Sequence, residues 1–364
     1  MKRCDKCLLP ETWPGISLND QNVCSVCIEQ QGETAVLAQK EWERNRTASL
    51  ADMDRLLRSC RGRGQYDLLV LLSGGKDSTY MLWYLKEHYQ LRTLAFTCDN
   101  GFLSSVARKN LEQTVQKMGV DHVWGRPPAS LVTRLFRLLL CSASARFQPA
   151  VATVCHPCFG LTLLLALKTA GQMDIPLLAV GFSPIQGRFS PLYRTPEYKV
   201  RSIIRRSQRD PDSLFSMRLT ADEAADLAIP CANLEQIPTI IYPFLALDYK
   251  IGDIKRTVIE KGFISPGHEN PLLSNCLVNL LMIEFDLVRF RYCTYEGEFS
   301  RLLRKGDLDR EEFRALYDRV SSEIEQGVFM KEQIDSVLDR IGLAKHDPPF
   351  YKLVPREASA QSKV

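Results

Sequence analysis

The chain has 364 residues, 45% of them apolar and 25% charged, with a net charge of +4. This is the composition of an ordinary soluble globular protein; it excludes collagenous and disordered classes, and the charge is too mild to argue nucleic-acid binding by itself. No apolar run reads as a membrane span, and the N-terminus lacks the apolar core of a signal peptide, so the expected compartment is cytoplasmic, with no membrane partner. Twelve cysteines in that compartment point to metal or redox work rather than disulfides.

Residues 1–30 form a module rich in Pro, Asn, Asp and Gly, with Cys4-x2-Cys7 and, sixteen residues on, Cys24-x2-Cys27. Each C-x-x-C turn brings two sulfurs onto one ion, and two turns complete a tetrahedron. Structural Zn²⁺ is the expected occupant, with a rubredoxin-like iron site as the alternative. Residues 31–62 read as a polar helical connector.

Residues 63–215 form the central domain. Its strand signals fall at 67–72, 92–98, 121–124 and 176–181, and its helix signals at 77–89, 103–118, 129–144 and 158–172. That alternation predicts an α/β fold, a parallel sheet with helices on both faces, and a ligand site at the carboxyl ends of the strands. The first strand runs into Ser73, Gly74, Gly75, Lys76, Asp77 and Ser78. Glycines there let the backbone approach an anion, a helix start supplies N–H groups, and Lys76 adds a mobile positive charge. It is not the G-x-x-x-x-G-K-[ST] loop, because Val70 stands at the first glycine position. The second strand ends in Thr97-Cys-Asp-Asn-Gly101, where Asp99 is placed to frame a nucleoside or, more plainly, to cap a turn. Gly181 ends the last strand and would allow nucleotide to approach.

Cys155-His-Pro-Cys158 is a second C-x-x-C, which needs partners; Cys276 and then Cys231 are the candidates. Three cysteines can hold an iron–sulfur cluster with one iron left open to sulfide, or the pair can carry a persulfide. Buried thiols are the plain alternative. The basic run at Arg194, Lys199, Arg201, Arg205, Arg206 and Arg209 reads as a pyrophosphate, acidic-substrate or RNA contact, or as a solvated face. Residues 216–347 form a mixed, then helical, C-terminal part that completes the substrate site. The tail 348–364 is polar.

The S-G-G-K-D-S order resembles the PP-loop of ATP pyrophosphatases, whose fold is adenine nucleotide α-hydrolase-like. With the four-cysteine module and the second C-x-x-C, the chain is similar to two branches of that superfamily. One is the iron–sulfur tRNA 2-thiouridine synthetases, in which the C-x-x-C and a third cysteine hold a [4Fe-4S] cluster. The other is the N-acetyl sugar amidotransferases, matched in the opening Cys-x-x-Cys-Leu-x-Pro, in Pro14-Gly15-Ile16 and in Gly306-Asp-Leu-Asp-Arg-Glu-Glu312. The chain departs from both at Gly181-Phe-Ser-Pro184 and lacks the thiolation enzymes' second cysteine ribbon. The resemblance implies ATP and Mg²⁺ as cofactors, with Lys76 and Asp77 catalytic. Cys155 and Cys158 would serve sulfur chemistry, and Ser73 to Ser78, Asp99 and Gly181 would bind ATP. The expected activity is adenylation of a carbonyl or amide oxygen and its replacement by sulfur, on a small molecule or nucleobase. Its expected partner is a sulfur donor; tRNA is not favoured, and a homodimer stays open. The alternatives are amidotransfer with ammonia from a glutaminase partner, and a zinc-ribbon RNA-binding adaptor that only senses nucleotide.

Overall fold

The structure is a computed structural model that describes residues 1–30, 33–141, 149, 151–183, 193–229 and 237–345. Among the described residues five strands form one sheet: β1 (Leu68–Leu71), β2 (Thr93–Cys98), β3 (Asp121–Gly125), β4 (Leu177–Ala179) and β5 (Thr239–Ile241). Their order is β3-β2-β1-β4-β5, and every pairing is parallel. β1 is the centre, and all four of its residues are buried. An unbroken Leu-Leu-Val-Leu run is what a parallel strand covered on both faces requires. β3, at the edge, is half-exposed and carries Asp121 and His122. The four expected strands are present within two residues of their predicted ends. β5 is new: three residues, with only Tyr242 between them and Pro243, are too short to show a period.

The helices are α1 (Ser25–Glu29), α2 (Glu33–Cys60), α3 (Lys76–Tyr89), α4 (Ser105–Met118), α5 (Ala129–Cys141), α6 (His156–Gln172), α7 (Glu197–Arg209), α8 (Asp212–Phe215), α9 (Ala221–Leu227), α10 (Ile251–Glu260), α11 (Leu277–Phe290), α12 (Thr294–Lys305), α13 (Arg310–Glu325) and α14 (Lys331–Ile341). The connections β1-α3-β2 and β2-α4-β3 step one way across the sheet, and β4 and β5 continue from β1 in the other direction. The order therefore reverses between β1 and β4, which is where open α/β sheets bind ligands.

The chain divides into two compact units built from separated segments. One comprises Met1–Glu41, Thr133–His156 and Leu277–Val364; the other comprises Trp42–Val132 and Pro157–Cys276. The second holds the sheet and a continuous core that includes Met53, Leu57, Leu68, Val70, Met81, Leu85, Ala179, Ile241 and Phe244. One helical run, Thr153–Gln172, is long and apolar enough by length and composition to cross a membrane, with a mean hydropathy of 1.3. This corrects the expectation that no such run exists. Its Leu161, Leu164, Ala166, Leu167 and Ala170 are buried, as in a core helix.

In the first unit the cysteine module is fastened to α12 and α13. Arg3 donates to the Leu8 carbonyl at 2.9 Å and pairs with Glu296 at 2.8 Å, both side chains almost fully buried. Glu296 also accepts the Cys293 N–H at 3.0 Å, capping α12. Burial pushes the Glu296 carboxyl up, and Arg3 works against that rise. The Arg3 guanidinium lies 4.5 Å from the Tyr317 ring centre, and Arg310 donates to the Asp5 carbonyl at 2.7 Å.

Candidate functional site

The phosphate loop lies at the carboxyl end of β1, at the reversal point of the sheet. Gly74 has φ of +82°, and a Cβ there would sit 2.5 Å from the Ala107 carbonyl oxygen. Both conformation and space therefore require glycine at this position. Asn110, fully buried in α4, donates to the Gly74 carbonyl at 2.9 Å and to the His268 carbonyl at 3.1 Å. Ser78 staples the loop: its Oγ donates to the Gly75 carbonyl and accepts the Ser73 N–H, each at 3.1 Å. Gly75 is the N-cap of α3 and provides no side-chain cap, so the first-turn amides are left facing the loop. Helix starts of this kind bind anions.

Lys76 pairs with Asp77 at 2.6 Å, and Tyr249 donates to the other Asp77 oxygen at 2.8 Å. The loop thus carries its own counter-ion to Lys76. Tyr249 was not foreseen, since nothing around Asp248-Tyr-Lys250 signals a partner for a loop 172 residues away. Gly181 follows β4, and a Cβ there would sit 3.4 Å from the Ser78 Cα. The end of β4 thus lies beside the start of α3.

Asp99, after β2, is buried and already occupied. It accepts the Gly101 N–H at 3.0 Å and Arg108 at 2.9 Å, and pairs with Arg126 at 3.3 Å. It therefore places two guanidinium groups at the carboxyl ends of β2 and β3, a role the sequence reading did not assign. Its neighbour Asn100 has its Nδ2 at 3.6 Å from the Cys158 sulfur and 3.6 Å from the Cys276 sulfur. These two thiols, 118 positions apart, thus share one amide. Cys276 is brought there by a bridge between Leu103 and Cys276 and by Ser104 donating to the Leu273 carbonyl at 2.6 Å. Burial pushes the Cys158 thiol up to about 12, against the Asn100 hydrogen bond, and the Cys98 thiol up to about 11, against a bond from Thr162. Cys155 lies in the other unit, 3.9 Å from the Met282 sulfur. Cys231 lies outside the described residues.

The Cys4, Cys7, Cys24 and Cys27 sulfurs all lie within 4.8 Å of one another, and all four residues are buried. The Cys4–Cys27 and Cys7–Cys24 separations are 3.8 and 3.6 Å. A tetrahedron of sulfurs about 2.3 Å from zinc has edges of about 3.8 Å, so the residues fit one tetrahedral ion. The knuckle closes through Leu8, at φ of +60°, whose N–H donates to the Cys4 carbonyl while Cys4 N–H donates to Leu9. The basic run forms α7: Val200, Ile204 and Ser207 face inward, Arg201 pairs with Glu197, and Arg206 donates to Ser213. A cavity of about 260 Å³ lies off the end of β3, lined by Gly125, Arg126, Lys168 and Asp226 among others, two strands from the phosphate loop.

No protein-family profile and no curated protein matches the chain. Among solved structures it is similar to the U34-tRNA thiolase NcsA from Methanococcus maripaludis with its [4Fe-4S] cluster, at 14% identity and a TM-score of 0.35, covering 99% of this chain and 96% of that one. It is also similar to NMN synthetase from Francisella tularensis, at 13% identity and a TM-score of 0.32, covering 87% and 98%. A predicted subunit of tRNA methyltransferase from Methanocaldococcus jannaschii overlaps 56% of this chain and 93% of its own, at 18% identity and a TM-score of 0.26. The likeness at these scores is diffuse, and the weight falls on the chain's own loop. The S-G-G-K-D-S turn stands at the carboxyl end of a central parallel strand and opens a helix, the context expected of a phosphate-binding loop.

Proposed function

We propose that this chain is an ATP-using enzyme that adenylates a carbonyl or amide oxygen and replaces it with sulfur. The observation that carries the reading is the segment after β2. Ala107 and Asn110 pack on and bond to Gly74 of the phosphate loop, while Asn100, ten residues earlier, contacts both Cys158 and Cys276. One short stretch thus serves an anion-binding loop and a sulfur pair, which amidotransfer would leave idle.

In this reading the amides at the start of α3 and Lys76 receive the phosphates, and a substrate oxygen attacks the α-phosphorus. Pyrophosphate leaves, its developing charge met by groups already in place. Sulfur at the oxidation level of sulfide then attacks the carbon, and AMP departs with the former carbonyl oxygen, so C=O becomes C=S. Adenylation is required because an amide oxygen is a poor leaving group and AMP a good one. Mg²⁺ bound to ATP would supply charge neutralisation on the phosphate oxygens, and Asp77 is the loop carboxylate that would hold it. Zn²⁺ would occupy the four-cysteine site as a structural ion. Cys158 and Cys276 are the thiols we assign to sulfur handling: as cluster ligands they would present sulfide directly, and as a persulfide carrier Cys158 would be loaded by a persulfide donor, Cys276 then releasing the sulfur to the product and closing a Cys158–Cys276 disulfide.

Purified anaerobic protein given ATP, sulfide and carbonyl-bearing small molecules or nucleobases should form AMP and pyrophosphate in step with product. Removing one preorganised contact to developing charge costs on the order of 10²–10³ in rate, and Lys76→Ala should lose at least that much. Release of ADP and phosphate instead, or full turnover in Lys76→Ala, would overturn the assignment. Turnover with ammonia but not with sulfide would favour the amidotransferase reading.

A further inference from the structure

We infer that Asn100 is a positioning residue that holds Cys158 and Cys276 as one two-sulfur site, and that the site takes a soft, thiophilic electrophile. The orientation of the amide carries the argument. Asn100 Oδ1 accepts the Phe102 N–H at 2.9 Å, closing the turn after β2. With its oxygen engaged, the Nδ2 must face the other way, toward the sulfurs of Cys158 and Cys276, each 3.6 Å off. An amide nitrogen carries two hydrogens, one for each sulfur. Both thiols belong to the unit that holds the sheet, and neither is fully buried. Their second neighbour is Cys98, also part-exposed, at the end of β2. Sulfur is a soft ligand that favours soft partners over oxygen-loving cations. Two sulfurs 118 positions apart, oriented by one locked amide, form a bidentate site.

This deepens the sulfur-transfer reading, and its test uses neither ATP nor acceptor, so failure here is separate from failure of the adenylation assay. Phenylarsine oxide is the probe. Two arsenic–sulfur bonds form, the arsenic–oxygen bond breaks, the oxygen leaves as water with the two thiol protons, and arsenic stays trivalent. With the four-cysteine site metal-loaded, peptide mapping of the full chain by mass spectrometry should show one arsenical bridging Cys158 to Cys276. Cys158→Ser and Cys276→Ser should each lose the bridge. The deciding variant is Asn100→Asp, which retains the oxygen that Phe102 needs and removes both donors to sulfur. Measured on the folded fraction from gel filtration, Asn100→Asp and Asn100→Ala should both bridge at least tenfold more slowly than the unaltered chain. If Asn100→Asp matches the unaltered chain while Asn100→Ala is slow, Asn100 serves only the turn and the inference fails. A bridge from Cys158 to Cys98 in place of Cys276 would overturn the pairing.

Discussion

Gly74 is the residue on which the phosphate loop turns. Its φ of +82° costs a side-chain-bearing residue about 1–2 kcal/mol, and a methyl group would meet the Ala107 carbonyl at 2.5 Å. Crowding of that kind typically costs roughly 1–3 kcal/mol. Gly74→Ala should therefore lower the melting temperature and displace α4 from the loop, with nucleotide binding weakened more than stability alone explains. Gly75→Ala is the control, since a Cβ there meets only the Ser73 hydroxyl, at 3.5 Å, and φ is ordinary. Equal ATP binding by calorimetry in Gly74→Ala and Gly75→Ala would contradict the close-packing account.

At the scale of elements, the start of the sheet depends on a buried carboxylate. Asp67 precedes β1 and is almost fully buried. It accepts the Gly62 N–H at 2.8 Å, the Arg92 N–H at 2.9 Å and the Arg92 guanidinium at 3.0 Å, tying β1 to the residues that open β2 and close α2. Burial by itself would raise its titration, but the bonds from Arg92 and Gly62 outweigh it and hold Asp67 below the ordinary value near 3.8. A carboxylate lowered on folding adds stability above its unfolded value, and that stability is lost as pH falls through the folded value. The melting temperature of the unaltered chain should exceed that of Asp67→Asn at pH 7, and the gap should close below about pH 4. A gap of the same size at pH 3 would show that the charge plays no part.

For the molecule as a whole, the four-cysteine module anchors one of its two units. Arg3 joins the Leu8 carbonyl of the metal knuckle to Glu296 of α12, Arg310 of α13 grips the Asp5 carbonyl, and Trp13 fills the space over Gly297. Metal binding and folding are coupled in so small a module. Cys7→Ser, or removal of the ion by a chelator, should therefore raise hydrogen exchange in residues 294–325 as well as in 1–30. Exchange changes confined to 1–30 would refute the coupling. Much of this architecture was legible in the sequence because its signals are local. A short apolar run between turn residues reads as a covered strand, S-G-G-K-D-S marks the turn from that strand into a helix, and paired C-x-x-C knuckles bring four sulfurs onto one point. The helix of the basic run was missed because only Val200 and Ile204 mark its apolar side, and the dense Arg and Lys around them read as a solvated face. What tertiary structure decided is what sequence distance hides. It set Asp99, read as a nucleoside contact or a turn cap, against Arg108 and Arg126, and it gave Asp77 a partner in Tyr249. It also brought Cys276 to the amide that holds Cys158. Composition and spacing fix which chemistries a chain carries, but which groups share a site depends on parallel crossovers that join residues more than a hundred positions apart.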